Sequence, residues 1–173
     1  MISPSYVRTL ARYNSWQNIN IYGASESLSD AQRKEDRGGF FGSIHATLNH
    51  ILWADQTWLH RFNACPPPPK LTIPDGLSLF EDWEALKDER VRFDGVIREW
   101  ADGLELEPSA LDGDLTWISG ATGREMTRPK ALLVAHLFNH QTHHRGQVHA
   151  LLTGFGIKPG ITDMPFGENI YAD

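Results

Sequence analysis

The sequence predicts an all-α protein, a four-helix bundle with a short β-hairpin before the last helix. Three observations carry that expectation. Four segments of about 20 residues or more repeat apolar side chains at three- and four-residue steps, the period of a helix with one buried face. A pair of short runs around a Gly-containing loop interrupts this pattern only once, between the third and fourth segments. The chain has 173 residues, 40% hydrophobic and 22% charged, which fits one soluble domain spanning residues 1–173 with enough chain to bury a core.

The first helix is expected from about Ser5 to Leu28, with Tyr6, Leu10, Tyr13, Ile21 and Ala24 as its apolar stripe. Ser3-Pro4 supplies a start and Ser29-Asp30 a stop. A charged link, Gln32 to Gly39, leads to the second helix, about Phe40 to Asn63, whose stripe is Ile44, Leu48, Ile51, Leu52 and Leu59. Four consecutive prolines, Pro66 to Pro69, then forbid further helix and favour an extended path. The third helix is expected over about Leu79 to Trp100, with Ser78 as cap, Glu81 completing a capping box, and Phe80, Trp83, Leu86, Val91, Phe93, Val96 and Ile97 on its buried side. Leu115–Ile118 and Arg124–Thr127 flank Ser119-Gly120-Ala121-Thr122-Gly123 as a hairpin. The fourth helix runs from about Pro129 to Thr153, ended by Gly154. The tail, Phe155 to Asp173, reads as ordered coil. The links on either side of the third helix are long enough to cross the bundle, so a simple up-down-up-down order is not required.

Charge and composition exclude several classes. The formal net charge is −6, and no basic run occurs. A nucleic-acid partner and a membrane-surface role are therefore not expected. No apolar run approaches the roughly 18 residues needed to span a bilayer. Met1 to Leu10 lacks the apolar stretch and cleavage site of a secretory signal. A single cysteine, Cys65, permits no internal disulfide, and with no base visible nearby it reads as incidental. A cytoplasmic location is the expectation.

The chemistry-bearing residues are histidines, eight in all. On the fourth helix Leu133, Leu137, His140, His144, Val148 and Leu151 share a face. Two histidines at i and i+4 set two imidazoles one turn apart, the way a helix offers two nitrogens to one metal. On the second helix His50 has Ala46, Thr47, Trp53, Ala54 and Thr57 around it, so it also looks inward. Three neutral histidines plus water would form an open site suited to a divalent zinc, nickel or iron ion. The plainer alternative for each is a hydrogen-bonded core histidine. His136 lies one turn before His140 and competes with His144 as its partner. His45, His60, His143 and His149 point off these faces and, with His136, are read as structural or surface residues.

Gln141 follows His140 where a zinc protease carries glutamate, which removes that reading. No Glu-x-x-His motif occurs, which removes a di-iron bundle. Near the ligand candidates, Arg145 has two readings, a carboxylate binder or a structural salt bridge. Gly146 would allow close helix approach, Gln147 would hydrogen-bond a ligand histidine, and Asp55 would cap or pair at the surface.

The stretches Gly42-Ser43-Ile44-His45-Ala46-Thr47-Leu48-Asn49-His50-Ile51-Leu52-Trp53-Ala54-Asp55 and Asn139-His140-Gln141-Thr142-His143-His144-Arg145-Gly146-Gln147 resemble the two signatures of the DinB/YfiT-like proteins. Tyr13-Asn14-Ser15-Trp16-Gln17-Asn18 and Thr162-Asp163-Met164-Pro165 fit the same family at both ends. The resemblance implies an up-down-down-up bundle, commonly a homodimer, with a metal triad on His50, His140 and His144. It implies a small-molecule substrate, and its better understood relatives act with low-molecular-weight thiols such as bacillithiol or mycothiol. The family name refers to DNA-damage-inducible expression. The expected activities are a metal-dependent thiol transferase, a metal-dependent hydrolase, or no catalysis, with the metal stabilising a binding protein.

Overall fold

Helix α1, Pro4–Glu26, begins where expected. The Ser3 hydroxyl accepts the Tyr6 amide at 3.2 Å, and proline stands in the first turn, where its missing N–H is not needed. A computed structural model describes residues 2–120, 122–167 and 170–171. The buried face of α1 differs from the apolar stripe. Tyr6 is 49% exposed, whereas Val7, Ala11, Asn14, Gln17, Asn18, Ile21 and Tyr22 face inward. The helix is turned because its inner face carries amides as well as aliphatics, and two of them, Asn14 and Asn18, have a buried partner in Asp94.

The charged link holds a short helix that the spacing did not suggest, α2, Asp30–Lys34. Ser29 and Gln32 close a capping box there. Helix α3, Ile44–Arg61, starts four residues later than expected, because Ser43 is the cap and accepts the Ala46 amide at 3.1 Å. Phe40 and Phe41 sit before it in a turn closed by a Gly39–Gly42 bridge, with Gly42 at φ 77°. The prolines then lead to a single helical turn, α4, Ile73–Gly76.

Helix α5, Trp83–Gly103, starts at Asp82 rather than Ser78. The reason is Asn49, which binds Phe80 in both directions: its Oδ1 accepts the Phe80 amide at 2.7 Å and its Nδ2 donates to the Phe80 carbonyl at 3.1 Å. Ser78 to Phe80 is thereby held as loop. Val91, expected inside, is 64% exposed, and the buried position beside it belongs to Arg90.

Strands β1, Asp114–Ile118, and β2, Glu125–Pro129, pair antiparallel from Asp114–Pro129 to Ile118–Glu125. Ala121, in the connecting loop, lies outside the described residues. Trp117 points back onto Trp58 of α3, ring edge to face at 5.6 Å. Helix α6, Lys130–Gly154, follows directly, and its end is turned by Gly156 at φ 77°. The tail crosses α1, where Tyr13 donates to the Thr162 carbonyl and Gln17 to that of Ile161. Residues 168–169 and 172–173 of that tail lie outside the described residues.

Cross-helix contacts fix the directions. Arg8 pairs with Glu105 and Lys87 with Glu26, so α1 and α5 are antiparallel. Asn49 meets Phe80, Asp55 meets Arg90 and Phe62 stacks on Trp100, so α3 and α5 are parallel. His50 faces His144 and Trp58 faces His136, so α3 and α6 are antiparallel. The chain therefore runs up, down, down, up. The helices are neighbours in the order α1, α5, α3, α6, with α6 also against α1. Leu52, Leu59, Leu86, Ile97, Leu137 and Leu152 fill the core, each contributing about 1.5–3 kcal/mol. Among the described residues no helix is long and apolar enough to cross a membrane.

Candidate metal centre

The antiparallel packing of α6 on α3 brings three histidines together. One ring nitrogen each from His50, His140 and His144 lies within 4.8 Å of the others. The closest approach is between the Nε2 atoms of His50 and His140, at 3.1 Å. Tetrahedral zinc with Zn–N distances of about 2.0–2.1 Å sets its nitrogens roughly 3.3 Å apart, so the cluster has the scale of a metal site. Spacing along the last helix named His140 and His144, and the inward face of the second helix together with the family resemblance named His50; the structure brings all three to one point.

Hydrogen bonding tests the fit. If the 3.1 Å contact is a hydrogen bond, one Nε2 must donate and the other accept. That arrangement uses only one of the two facing lone pairs, and the buried Nδ1 atoms of His50 and His140 have no partner in either case. A shared cation would use all three facing lone pairs at once. His144 is already oriented for this. Its Nδ1 lies 2.7 Å from Gln147 Oε1, which fixes the proton on Nδ1 and leaves the Nε2 lone pair free. Gln147 does what its three-residue spacing from His144 suggested.

Electrostatics also suit ligation, which needs neutral imidazoles. Burial, with the neighbouring His144 adding to it, pushes His50 down to about 4. Burial and the other histidines push His140 down to about 3. His144 is lowered by burial against the opposing pull of Gln147.

Aromatic rings enclose the cluster. Phe41 lies against His50 at 4.1 Å between centroids and meets His144 at 5.3 Å, and Trp53 packs against His50 at 5.8 Å. The Trp53 indole is fixed by a hydrogen bond to the Lys70 carbonyl. Beyond His50 and His140 opens a cavity of about 320 Å³, walled by α3, the segment after the prolines, and the hairpin. His136 lines it and packs edge-on to Trp58, 5.7 Å from the His140 ring. It stands beside the triad and does not displace His144. His143 is exposed and touches the outer side of His144. His45 is buried beside Asn49, and His60 meets the Cys65 carbonyl.

A second polar cluster lies one step round the same helices. Asp55, expected at the surface, is completely buried. It accepts from Arg90 at 2.7 Å and from Gln141 at 2.9 Å. Arg90 also reaches Asp94 at 2.8 Å, and Asp94 accepts from Asn14 and Asn18 of α1. Arg145 completes the cluster by donating to Asn14. Among the described residues it has no carboxylate within 4 Å, so neither the salt bridge nor the surface pairing takes the expected form. Asp55 is five residues past His50, and that 140° rotation carries it from the metal face to the α5 face. Burial works against the charge of Arg90, but Asp94 and Asp55 outweigh it and hold the guanidinium above the usual arginine range. Gly146 has open space where a Cβ would stand, so it is not a point of close helix approach.

Phe41, which packs on the histidines, and Trp117 and Arg61, which line the cavity, were not singled out from the sequence. For Phe41 a signal existed: glycines at 38, 39 and 42 and a capping Ser43 mark a turn that ends just before the helix. For Trp117 and Arg61 there was none, since their position depends on how the hairpin folds back.

Two comparisons with known proteins place the chain among relatives. The family model described as "DinB family" matches residues 1–171. The chain is 24% identical over 154 residues to Protein DinB of Bacillus subtilis (strain 168), a match covering 89% of this chain and 88% of that one. A helical bundle with three convergent histidines, matched along nearly its whole length by one family model, identifies the chain as a member of the DinB family.

Proposed function

We propose that this chain is a metal-dependent transferase that joins a low-molecular-weight thiol to a small electrophile. One observation carries the reading: three inward-facing imidazoles converge, and two of them, His50 and His140, line an aromatic-walled cavity. His50, His140 and His144 would hold one divalent ion, zinc, nickel or iron, through three neutral nitrogens. Such an ion, when bound, acidifies a thiol or a water so that it is nucleophilic at neutral pH. The residues of the chain do the rest. Gln147 holds the His144 ring in the ligating tautomer. Phe41 and Trp53 exclude water from one side. The cavity beside His50 and His140 receives the electrophile. In the transfer the sulfur–carbon bond forms, the leaving group departs with its electron pair, and the thiol proton passes to solvent.

The test is elemental analysis of the purified protein beside His50→Ala and His144→Ala, followed by turnover of chlorodinitrobenzene with and without thiol. The expected result is about one metal per chain in the wild type, little in either variant, and thiol-dependent chloride release. Equal, low metal in all three proteins overturns the reading. Turnover without thiol replaces the transferase with a hydrolase. No turnover, together with a lower melting temperature on chelation, makes the metal purely structural.

A further inference from the structure

The cavity on the triad has an unusual charge balance. Among the described residues that line it there is no carboxylate and one permanently charged group, Arg61. Arg61 ends α3. Its guanidinium carbon lies 4.6 Å from the Trp58 ring centroid and 5.9 Å from that of Trp117. Among the described residues it has neither an ion-pair nor a hydrogen-bond partner, although it is half-buried. Burial alone lowers its pKa, with no neighbouring charge acting on it. Arg90, by contrast, is clasped between two carboxylates. Arg61 is thus a fork of N–H donors held by stacking and left without an acceptor at the rim of a reaction-sized space.

The remaining walls are flat or apolar. Trp53, Trp58, Trp117 and Leu71 face a volume of about 320 Å³, which admits one or two fused rings with a short substituent. A planar guanidinium binds a carboxylate bidentately while its face stays on an aromatic ring, which an ammonium cannot do. The partly dry surroundings strengthen that bond relative to water.

We propose that the cavity selects small aromatic carboxylates. Arg61 anchors the carboxylate at the rim, the ring lies among Trp58, Trp117 and Trp53, and the far end of the molecule meets His50 and His140. For its reaction this inference rests on the function proposed above, but the binding step does not need the metal.

The test uses that independence. Binding of 2-naphthoate and of its neutral analogue 2-naphthamide is measured by calorimetry. Metal-free wild type, zinc-loaded wild type, R61Q and R61K are compared, with thermal unfolding as the check on folding. Metal-free wild type should bind naphthoate at least tenfold tighter than naphthamide. R61Q should lose that tenfold preference and keep its naphthamide affinity within about twofold. R61K, which keeps charge without the fork, should fall between. Equal binding of the two probes by wild type, no binding of either, or a preference that survives in R61Q overturns the proposal. A preference seen only with zinc and unchanged in R61Q places the carboxylate on the metal, which also overturns it. A protein that takes up no zinc but shows the Arg61-dependent preference keeps this inference and loses the metal-dependent one.

Discussion

Two polar clusters are buried side by side in this bundle, and they are built on opposite principles. In the first, Asp55, Asp94, Arg90 and Arg145 set two carboxylates against two guanidiniums, and Asn14, Asn18 and Gln141 fill in between them. In the second, His50, His140 and His144 bring three like groups together with no opposite charge among them. The two are interleaved on α6, where Gln141 follows His140 and Arg145 follows His144. A one-residue step on a helix turns a side chain by about 100°, so alternate residues serve different neighbours. The charged cluster answers its own electrostatics and ties all four long helices together. The histidine cluster leaves its nitrogens waiting for something from outside. Burial is therefore no guide to function here; the difference lies in whether opposite charges meet within the cluster, as Arg90 meets Asp55 and Asp94.

That contrast can be broken most forcefully at Asp55. Asp55→Ala removes the acceptor shared by Arg90 and Gln141 and leaves buried donors unpaired. A loss of about 3–5 kcal/mol is expected in urea unfolding. A loss below about 1 kcal/mol would show that the charged cluster does not clamp the helices. The next effect comes from pH. In the folded chain His50 and His140 titrate near 4 and 3, below the ordinary value of about 6.5. As pH falls below 6.5 the unfolded chain takes up protons that the folded chain refuses. Stability of the metal-free protein should therefore drop between pH 6.5 and 4, by an amount on the order of 2–4 kcal/mol at pH 5. The same urea series in a His50→Ala/His140→Ala variant should be markedly flatter; an unchanged slope would assign the effect elsewhere. Gln147→Ala should sharpen the comparison. It frees the His144 ring without touching the charged cluster, so zinc affinity should fall about 10–100-fold while the unfolding midpoint without metal barely moves. The smallest effect is expected at Val91. Because it is 64% exposed, Val91→Lys should change stability by less than about 0.5 kcal/mol.

The same division explains what could be read from the sequence. Helices α1, α3, α5 and α6, the hairpin, and the histidines at 140 and 144 were legible because each rests on spacing along one element; His50, alone on its helix, was named with the help of the family resemblance. The charged cluster was not. Apolar periodicity places Tyr6 and Val91 inside and ignores Asn14, Asn18 and Arg90, whose burial makes sense only once each has a partner on another helix. The start of α5 failed for a related reason. Ser78 and Glu81 form a plausible capping box, but Asn49 of α3 holds Phe80 in loop form, and a local signal lost to a distant one. Asp55 shows the limit most clearly. Its angle to His50 was read correctly as off the metal face, yet the helix it would meet there was not visible.

The order of the helices has a consequence in time. The first two long helices, α1 and α3, sit across a diagonal, so they emerge without forming a side of the bundle between them. The hydrogen bond from Arg145 to Asn14 joins residues 131 apart, and His50 waits 90 residues for His140. A bundle of successive antiparallel hairpins can zip from one end, whereas this one must close large loops before its core rewards them, which slows folding. On the ribosome, the histidine cluster can assemble only after the last helix has been made.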